Sequence, residues 1–179
     1  MKSRIGIACA TLLLAGTQNV VASAPRGSQQ AEYPCDVIDM SFCFIKPWKS
    51  VVTLWSGPDF QVYNVATRDE EALFSVYDGM APKQSDGRVR LKQYKRDGFR
   101  VDIGTLKNSD GNKTVDILIQ SPRGGYLHVF GASDQAARSA LADAMTSFRH
   151  CTRRGVTSVD CEAKPLFDES AAELVRNLK

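Results

Sequence analysis

Five cysteines are the residues in this chain of 179 whose types and spacing point most directly to chemistry. Cys9 stands alone near the start, and the other four form two close pairs, Cys35 with Cys43 and Cys151 with Cys161. Closely spaced cysteines can form disulfides, bind a metal ion or supply a reactive thiolate. The choice among these depends on the compartment in which the protein folds.

The first 24 residues have the layout of a secretory signal peptide. The basic start MKSR precedes the apolar run IGIACATLLLAG, and small residues follow, ending in Ala22-Ser23-Ala24. This layout predicts export to the periplasm or the medium, with cleavage after Ala24. Cys9 would leave with the signal, since apolar sequence continuing beyond it argues against lipidation there. No later stretch is long and apolar enough to span a membrane.

An even number of remaining cysteines in an exported chain predicts disulfide bonds. Four cysteines allow three pairings, and we favour Cys35–Cys43 with Cys151–Cys161. Each bridge would close a loop of about ten residues and contribute about 2.5–3 kcal/mol in the chain-entropy model. The alternative is two long-range bridges that join the ends of the chain. A zinc site would need tighter cysteine spacing or histidine support, so we predict no metal and no cofactor.

The two histidines do not form a catalytic constellation with other residues. His128 lies in the predicted strand YLHVF with Tyr126 and Phe130, and we interpret it as a packing residue. His150 precedes Cys151, but an oxidised cysteine cannot act as a nucleophile. The chain also has no G-x-S-x-G, H-E-x-x-H, phosphate-loop or dinucleotide-binding motif. We therefore predict no catalytic residues and no enzymatic activity.

The elements that must position these residues are predicted to be about six strands and two helices. Alternating and β-branched segments are separated by short turns, which predicts an antiparallel sheet. Residues 131–151 predict one long amphipathic helix with Ser133 as N-cap. A short C-terminal helix is expected to begin at a capping box of Ser170 and Glu173. The expected fold is therefore α+β, with the long helix packed on one face of the sheet.

Composition supports a single domain with an ordinary surface charge. Apolar residues make up 43% of the chain, enough for a hydrophobic core. We expect residues 25–34 to form a flexible leader and residues 35–179 to form one disulfide-braced domain. Cleavage removes Lys2 and Arg4, so the 23 basic residues fall to 21 against 20 acidic ones. This balance offers no general attraction to nucleic acid.

A basic stretch over residues 88–100, within a predicted hairpin, is the most uneven feature of the predicted surface. A two-residue turn at 97–98 would place Leu91 on the opposite face from Ile103. A three-residue loop, 96–98, pairs Leu91 with Ile103 instead, and the apolar face therefore favours the longer loop.

In that register Arg90, Lys92, Tyr94 and Arg100 share the outward face. A basic face with an exposed tyrosine is suited to an acidic protein or an anionic surface.

Aromatic residues form a second candidate surface near the first cysteine pair. Trp48 lies between lysines in a predicted turn and is expected to be exposed, which is typical of interface anchors. Phe44 and Trp55 are expected to pack in the core.

These features together favour an exported, periplasmic, non-catalytic binding protein. Within that class we favour an inhibitor or immunity-type protein that neutralises a toxin or secreted hydrolase by protein–protein contact. The alternative is an envelope assembly factor that binds an anionic or membrane surface without spanning it. A small hydrolase with an unfamiliar site is the third reading. No motif is specific enough to assign the chain to a family.

Overall fold

The computed structural model describes residues 35–82, 86–107, 111–155 and 158–178. In these ranges the chain forms eleven strands, which build two antiparallel sheets, and two short helices. No helix among the described residues has the length and apolar character needed to cross a membrane. The predicted signal peptide, 1–24, and the predicted leader, 25–34, lie outside the described residues.

The elements follow one another along the chain in the following order: β1 (Val37–Ile38), β2 (Phe42–Phe44), β3 (Ser50–Ser56), β4 (Phe60–Thr67), β5 (Ala72–Gly79), β6 (Val89–Arg96), β7 (Phe99–Lys107), β8 (Lys113–Gln120), β9 (Tyr126–Phe130), α1 (Gln135–Met145), β10 (Arg149–Arg154), β11 (Ser158–Cys161) and α2 (Glu169–Arg176).

The large sheet contains seven strands in the order β3-β4-β5-β9-β8-β7-β6. Two meanders, β3 to β5 and β6 to β9, meet where β5 pairs with β9. All of its strand pairs are antiparallel, as the short turns predicted. The edges of this sheet are β3 on one side and β6 on the other.

The small sheet joins the two ends of the described chain in the order β1-β2-β10-β11. It contains both disulfides in the favoured pairing, Cys35–Cys43 and Cys151–Cys161. After Cys151 the chain forms the β10–β11 hairpin, in which Cys151 lies directly opposite Cys161.

The predicted α+β fold is wrong, because the described chain is mostly β and its helices are short. The helix expected over 131–151 is confined to α1, whose N-cap is Asp134 rather than Ser133. Its predicted last turn is taken by β10, which pairs with β2. Phe148, which follows α1 and precedes β10, is fully buried, and its ring stacks on that of Phe44 at 5.1 Å between centroids. Tertiary packing therefore outweighs helix propensity here.

The C-terminal helix exists, but it begins two residues earlier than expected. Asp168 is the N-cap of α2, and its carboxylate accepts a hydrogen bond from the backbone N–H of Ala171 at 2.7 Å. Carboxylates suit this position because they satisfy free amide groups and the helix dipole.

The hydrophobic core lies between one face of the large sheet and a layer made of the small sheet and helices. Alternate residues of the central strands, such as Val101, Ile103 and Ile117, are fully buried on this core face. From the opposite layer, Phe42 contacts Tyr63 of β4 edge to face at 5.3 Å. Burying each large apolar side chain contributes about 1.5–3 kcal/mol, so this layer accounts for much of the stability.

The register of the basic hairpin differs from the predicted one. Strands β6 and β7 are joined by a two-residue turn, in which Asp97 and Gly98 have φ values of 48° and 85°. Positive φ at both positions is typical of the tight turns that match strand twist. A register shift between Arg90 and Lys92 places Leu91 in a bulge. The expected three-residue loop is therefore wrong. The bulged residue, and not a longer loop, changes which face of the sheet the side chains of β6 take.

Candidate functional site

The bulge in β6 divides the four hairpin residues that we expected on one face. Arg90 and Arg100 lie on the face turned away from the core, which we call the outer face of the large sheet. Lys92 and Tyr94 lie opposite Ile103 and Val101 and hence on the core face. The predicted common outward face is therefore wrong.

On the core face, the two displaced side chains hold the segment that leads into α2. Lys92 Nζ lies 3.1 Å from Asp168 Oδ1 and 2.5 Å from Ser170 Oγ. The Tyr94 hydroxyl donates to the backbone carbonyl of Leu166 at 3.4 Å. Burial raises the pKa of Tyr94 far above its ordinary value, so this hydroxyl stays protonated. These contacts give Lys92 and Tyr94 a structural role.

The outer face carries a network of buried charges over β7, β8 and β9. Arg88 Nη1 lies 2.8 Å from Asp102 Oδ1, and Arg88 Nε lies 2.5 Å from Asp116 Oδ1. The second oxygen of Asp116 lies 2.8 Å from His128 Nε2. The second oxygen of Asp102 lies 2.8 Å from Arg90 Nε. We call these five residues the charge network.

Strand pairing and one glycine create the space for this network. Asp102 of β7 lies opposite Leu118 of β8, and Leu118 lies opposite His128 of β9, so these side chains share the outer face. Gly104 lies between the two carboxylates, under the guanidinium of Arg88. A Cβ at residue 104 would lie 2.8 Å from Cζ of Arg88. Glycine is therefore required here for the arginine to approach the sheet.

Burial and hydrogen bonding act in opposite directions on the central groups of the network. Burial alone would raise the pKa of Asp116, but hydrogen bonds from His128 and Arg88 outweigh it and hold that pKa below its ordinary value. Burial likewise opposes the charge on Arg88, yet the two carboxylates keep its pKa above the usual range. Asp116 and Arg88 are thus both charged at neutral pH, as a mutually compensated pair.

A cavity of about 510 Å³ lies beside the charge network on the outer face. We call it the arginine pocket, and its polar lining consists of Arg88, Arg90, Arg100, Asp102, Gln120 and Tyr126. Asp116 compensates the charge of Arg88, so Arg90 and Arg100 face the single carboxylate of Asp102 and leave the lining with an excess of positive charge. The Tyr126 hydroxyl accepts from Gln120 Nε2 at 3.1 Å, which leaves its own proton for another acceptor. Guanidinium groups bind carboxylates and phosphates through paired hydrogen bonds, so the pocket is suited to an anionic group.

The second exposed feature is the free edge of β3. No strand pairs with the far side of β3 among the residues that the structure describes. Large apolar side chains follow this edge and are exposed: Trp48 at 89%, Val51 at 40%, Leu54 at 55% and Trp55 at 62%. We call these four residues and the backbone of β3 the β3 edge. Natural proteins usually protect such edges with charge or proline.

Aromatic stacking continues from the β3 edge onto the outer face. The ring of Trp55 lies 5.2 Å from that of Phe60, which lies 5.6 Å from that of Tyr77. Trp48 is exposed as predicted, and Phe44 is buried as predicted. The expectation that Trp55 would pack in the core is wrong, because Trp55 lies near the end of an edge strand and stacks on Phe60 with 62% of its surface exposed.

Sequence reasoning did not propose Asp102 or Asp116 as site residues, although a signal for them exists. The tripeptide Val-Asp-Ile occurs at 101–103 and again at 115–117, within strands that are otherwise rich in apolar residues. Side chains alternate between the two faces of a strand. An acidic residue between two core-facing β-branched residues therefore lies on the opposite face of the sheet. The partner of these acids, Arg88, has no local signal, since the sheet order alone brings it to them.

Comparison with known proteins finds no protein-family model, no curated protein and no solved structure that matches this chain. Its function must therefore be argued from the two exposed features, the arginine pocket and the β3 edge.

Proposed function

We propose that the protein is an exported, non-catalytic binding protein whose β3 edge contacts a protein partner. The observation that carries this proposal is the exposure of Trp48, just before β3, and of Leu54 and Trp55 on β3, whose far side pairs with no strand of the described residues. A free edge can accept a strand from another chain, with backbone hydrogen bonds supplying affinity and side chains supplying specificity. Tryptophan is also among the residues that most often dominate binding energy at interfaces.

Within this class we favour an inhibitor or immunity-type protein that neutralises a toxin or a secreted hydrolase. Both disulfides brace the small sheet that packs against the large one, and disulfides are typical of proteins that work outside the cytoplasm. A rigid scaffold supports tight inhibition, because little conformational entropy is lost when preformed anchors enter a partner. Trp48 and Trp55 are the proposed anchors.

The test is affinity capture of the processed protein, residues 25–179, from envelope and secreted fractions of the source organism. A captured protein is expected to bind the variant Trp48→Ala/Trp55→Ala more than tenfold more weakly, since each anchor contributes about 2 kcal/mol or more. Val89→Ala is the matched control, because Val89 is 55% exposed on the opposite edge of the same sheet. Equal binding by all three proteins would contradict the β3 edge as the interface.

A second candidate function is binding to an anionic surface of the envelope, and the arginine pocket favours it. Arg90 and Arg100 are exposed beside the cavity, and the charge network holds Arg90 through Asp102. Fixed cations of this kind attract anionic groups, and the attraction weakens as salt screens it.

This alternative is tested by sedimentation with vesicles that contain phosphatidylglycerol and with neutral vesicles. Binding confined to anionic vesicles, lowered by salt and lost in Arg90→Glu/Arg100→Glu, would support it. Arg154→Glu is the control, since Arg154 has a side chain that is 75% exposed in the small sheet. Binding that is unaffected by salt and by both variants would exclude the arginine pocket as the contact.

A further inference from the structure

The two disulfides lie against each other in the small sheet. The sulfur atoms of Cys43, Cys151 and Cys161 all lie within 4.8 Å of one another, although Cys43 is bonded to Cys35 and the other two are bonded together. Two bridges that are far apart in sequence therefore have sulfurs within 4.8 Å of each other. This arrangement requires an explanation in terms of the strands that carry the cysteines.

Strand pairing alone is enough to bring these sulfurs together. In the pairing of β2 with β10, Cys43 lies opposite Arg149, and Cys151 is two residues further along β10, on the same side of the sheet. In the pairing of β10 with β11, Cys151 lies opposite Cys161. Residues that are opposite or diagonal across antiparallel strands have side chains in reach of each other. The strand register by itself therefore places these three side chains within reach of one another.

The four cysteines differ in their access to solvent. Cys43 and Cys151 are each 1% exposed, whereas Cys35 and Cys161 are partly exposed. The two buried sulfurs are thus flanked by one accessible sulfur at each end, in the order Cys35, Cys43, Cys151, Cys161. Thiol–disulfide exchange needs an accessible sulfur for the first attack and a neighbouring disulfide for the next one.

We propose that these four cysteines form a thiol–disulfide relay that accepts electrons from an external dithiol. A thiolate of the dithiol attacks Cys35, the Cys35–Cys43 bond breaks, and Cys43 leaves as a thiolate. Cys43 then attacks Cys151, forming a Cys43–Cys151 bond and releasing Cys161, which takes a proton from water. The second thiol of the donor then attacks the donor sulfur that is bonded to Cys35. This step closes the donor disulfide and releases Cys35 as a thiol.

The electrons and protons of this sequence balance. The donor dithiol becomes a disulfide and loses two electrons and two protons, and the protein gains them as the thiols of Cys35 and Cys161. One protein disulfide remains, now between the two buried cysteines and across β2 and β10. The relay is independent of the proposed binding function, because its residues lie in the small sheet and not at the β3 edge.

The variant Cys35→Ser tests the relay, because it leaves Cys43 as a thiol beside the intact second bridge. The folded variant is quenched in acid, alkylated and digested, and its disulfides are mapped by mass spectrometry. Most molecules are expected to contain Cys43–Cys151 with Cys161 alkylated; Cys43 bonded to Cys161 would support the same relay with the other leaving sulfur. A variant that retains only Cys151–Cys161, with Cys43 alkylated, would overturn the proposal.

Two controls make the result specific. Cys43→Ser removes the central sulfur, so it is expected to retain Cys151–Cys161 with Cys35 alkylated. Partial reduction of the unaltered protein with dithiothreitol avoids any effect of substitution on folding. Its first reduced species, with two thiols, is expected to carry them at Cys35 and Cys161; thiols at Cys35 and Cys43 throughout the time course would count against the relay.

Discussion

The two faces of the large sheet are built by the same strands and have opposite chemistry. In β7 and β8 the Val and Ile residues of two Val-Asp-Ile tripeptides point into the core, and the intervening Asp102 and Asp116 point to the outer face. Both sets of side chains are buried. The core face excludes water by apolar packing, whereas the outer face buries charges that compensate one another.

This comparison indicates that the outer face is not arranged for stability. Removing two opposite charges from water costs several kcal/mol per ion, and a buried ion pair often stabilises a protein no more than apolar residues of the same volume would. The charge network has a second effect, since it holds Arg88 and Arg90 at the rim of the arginine pocket. We interpret the network as a support for that pocket.

The largest expected effect comes from breaking the charge network at its centre. Asp116→Ala should lower the free energy of unfolding by about 3–5 kcal/mol, because it leaves the buried guanidinium of Arg88 without one of its two carboxylates. Urea denaturation measures the change. Replacing both partners, as in Arg88→Met/Asp116→Leu, should restore part of the loss, because Asp102 keeps Arg90 as a partner whereas His128 loses Asp116. A double variant as unstable as the single one would contradict our interpretation of the network.

The matched change on the core face is at Ile117, which follows Asp116 in β8. Ile117→Ala should cost about 2–5 kcal/mol through lost burial and the cavity left behind. No substitution elsewhere should restore this loss in the way that the double variant restores the first, since apolar packing has no single partner. Urea denaturation of Ile117→Ala alone and combined with Arg88→Met would show this, and stabilisation of the combined variant would contradict it.

A smaller effect is expected from pH, and two carboxylates, the buried Asp116 and the half-buried Asp78 of β5, should act in opposite directions. The folded pKa of Asp116 is depressed, so its contribution to stability is present above the ordinary carboxyl pKa of about 3.9 and is lost as pH falls through the folded value. Burial raises the pKa of Asp78, so this carboxyl favours the folded state as pH falls.

Unfolding free energies measured from pH 6 to pH 3 would separate these two carboxylates. Asp116→Asn should lose less stability than the unaltered protein on acidification, and Asp78→Asn should lose more. The same slope in all three proteins would show that neither group is linked to folding.

The smallest expected effect lies outside the large sheet, at the start of α2. Asp168→Ala should cost about 1 kcal/mol, mainly through loss of the N-cap, since the pair with Lys92 is partly exposed and contributes little. Asp143→Ala is the control, because it removes the exposed pair with Arg176 without removing a cap. A thermal melt that ranks Asp143→Ala as the more damaging change would contradict this assignment.

Local patterns in the sequence predicted those features that depend on near neighbours. The spacing of the cysteines predicted the two short disulfides, and most strands of the large sheet followed from alternation and turn residues. The extent of α1 was not predictable in this way. Residues after Met145 have a helical pattern, but Phe148 is buried among aromatic residues from the other end of the chain, and no local pattern reports such a contact.

The site was predicted only in part for the same reason. Arg90, Arg100 and Trp48 lie at exposed positions, as expected. Lys92 and Tyr94 do not, because one bulged residue, Leu91, reverses which face each following side chain takes. A strand has a period of two, so a single inserted residue changes every assignment beyond it. The sequence shows the strand clearly but does not show where the bulge lies.

The sequence by itself favoured the observed cysteine pairing and determined the antiparallel strands and the absence of a recognisable catalytic motif, because each depends on residues close together in the chain. Only the tertiary structure decided that Arg88 meets Asp102 and Asp116, that β3 is an edge strand among the described residues, and that four sulfurs gather in the small sheet. Each of these depends on the order of strands in a sheet, which is set by packing between segments distant in sequence.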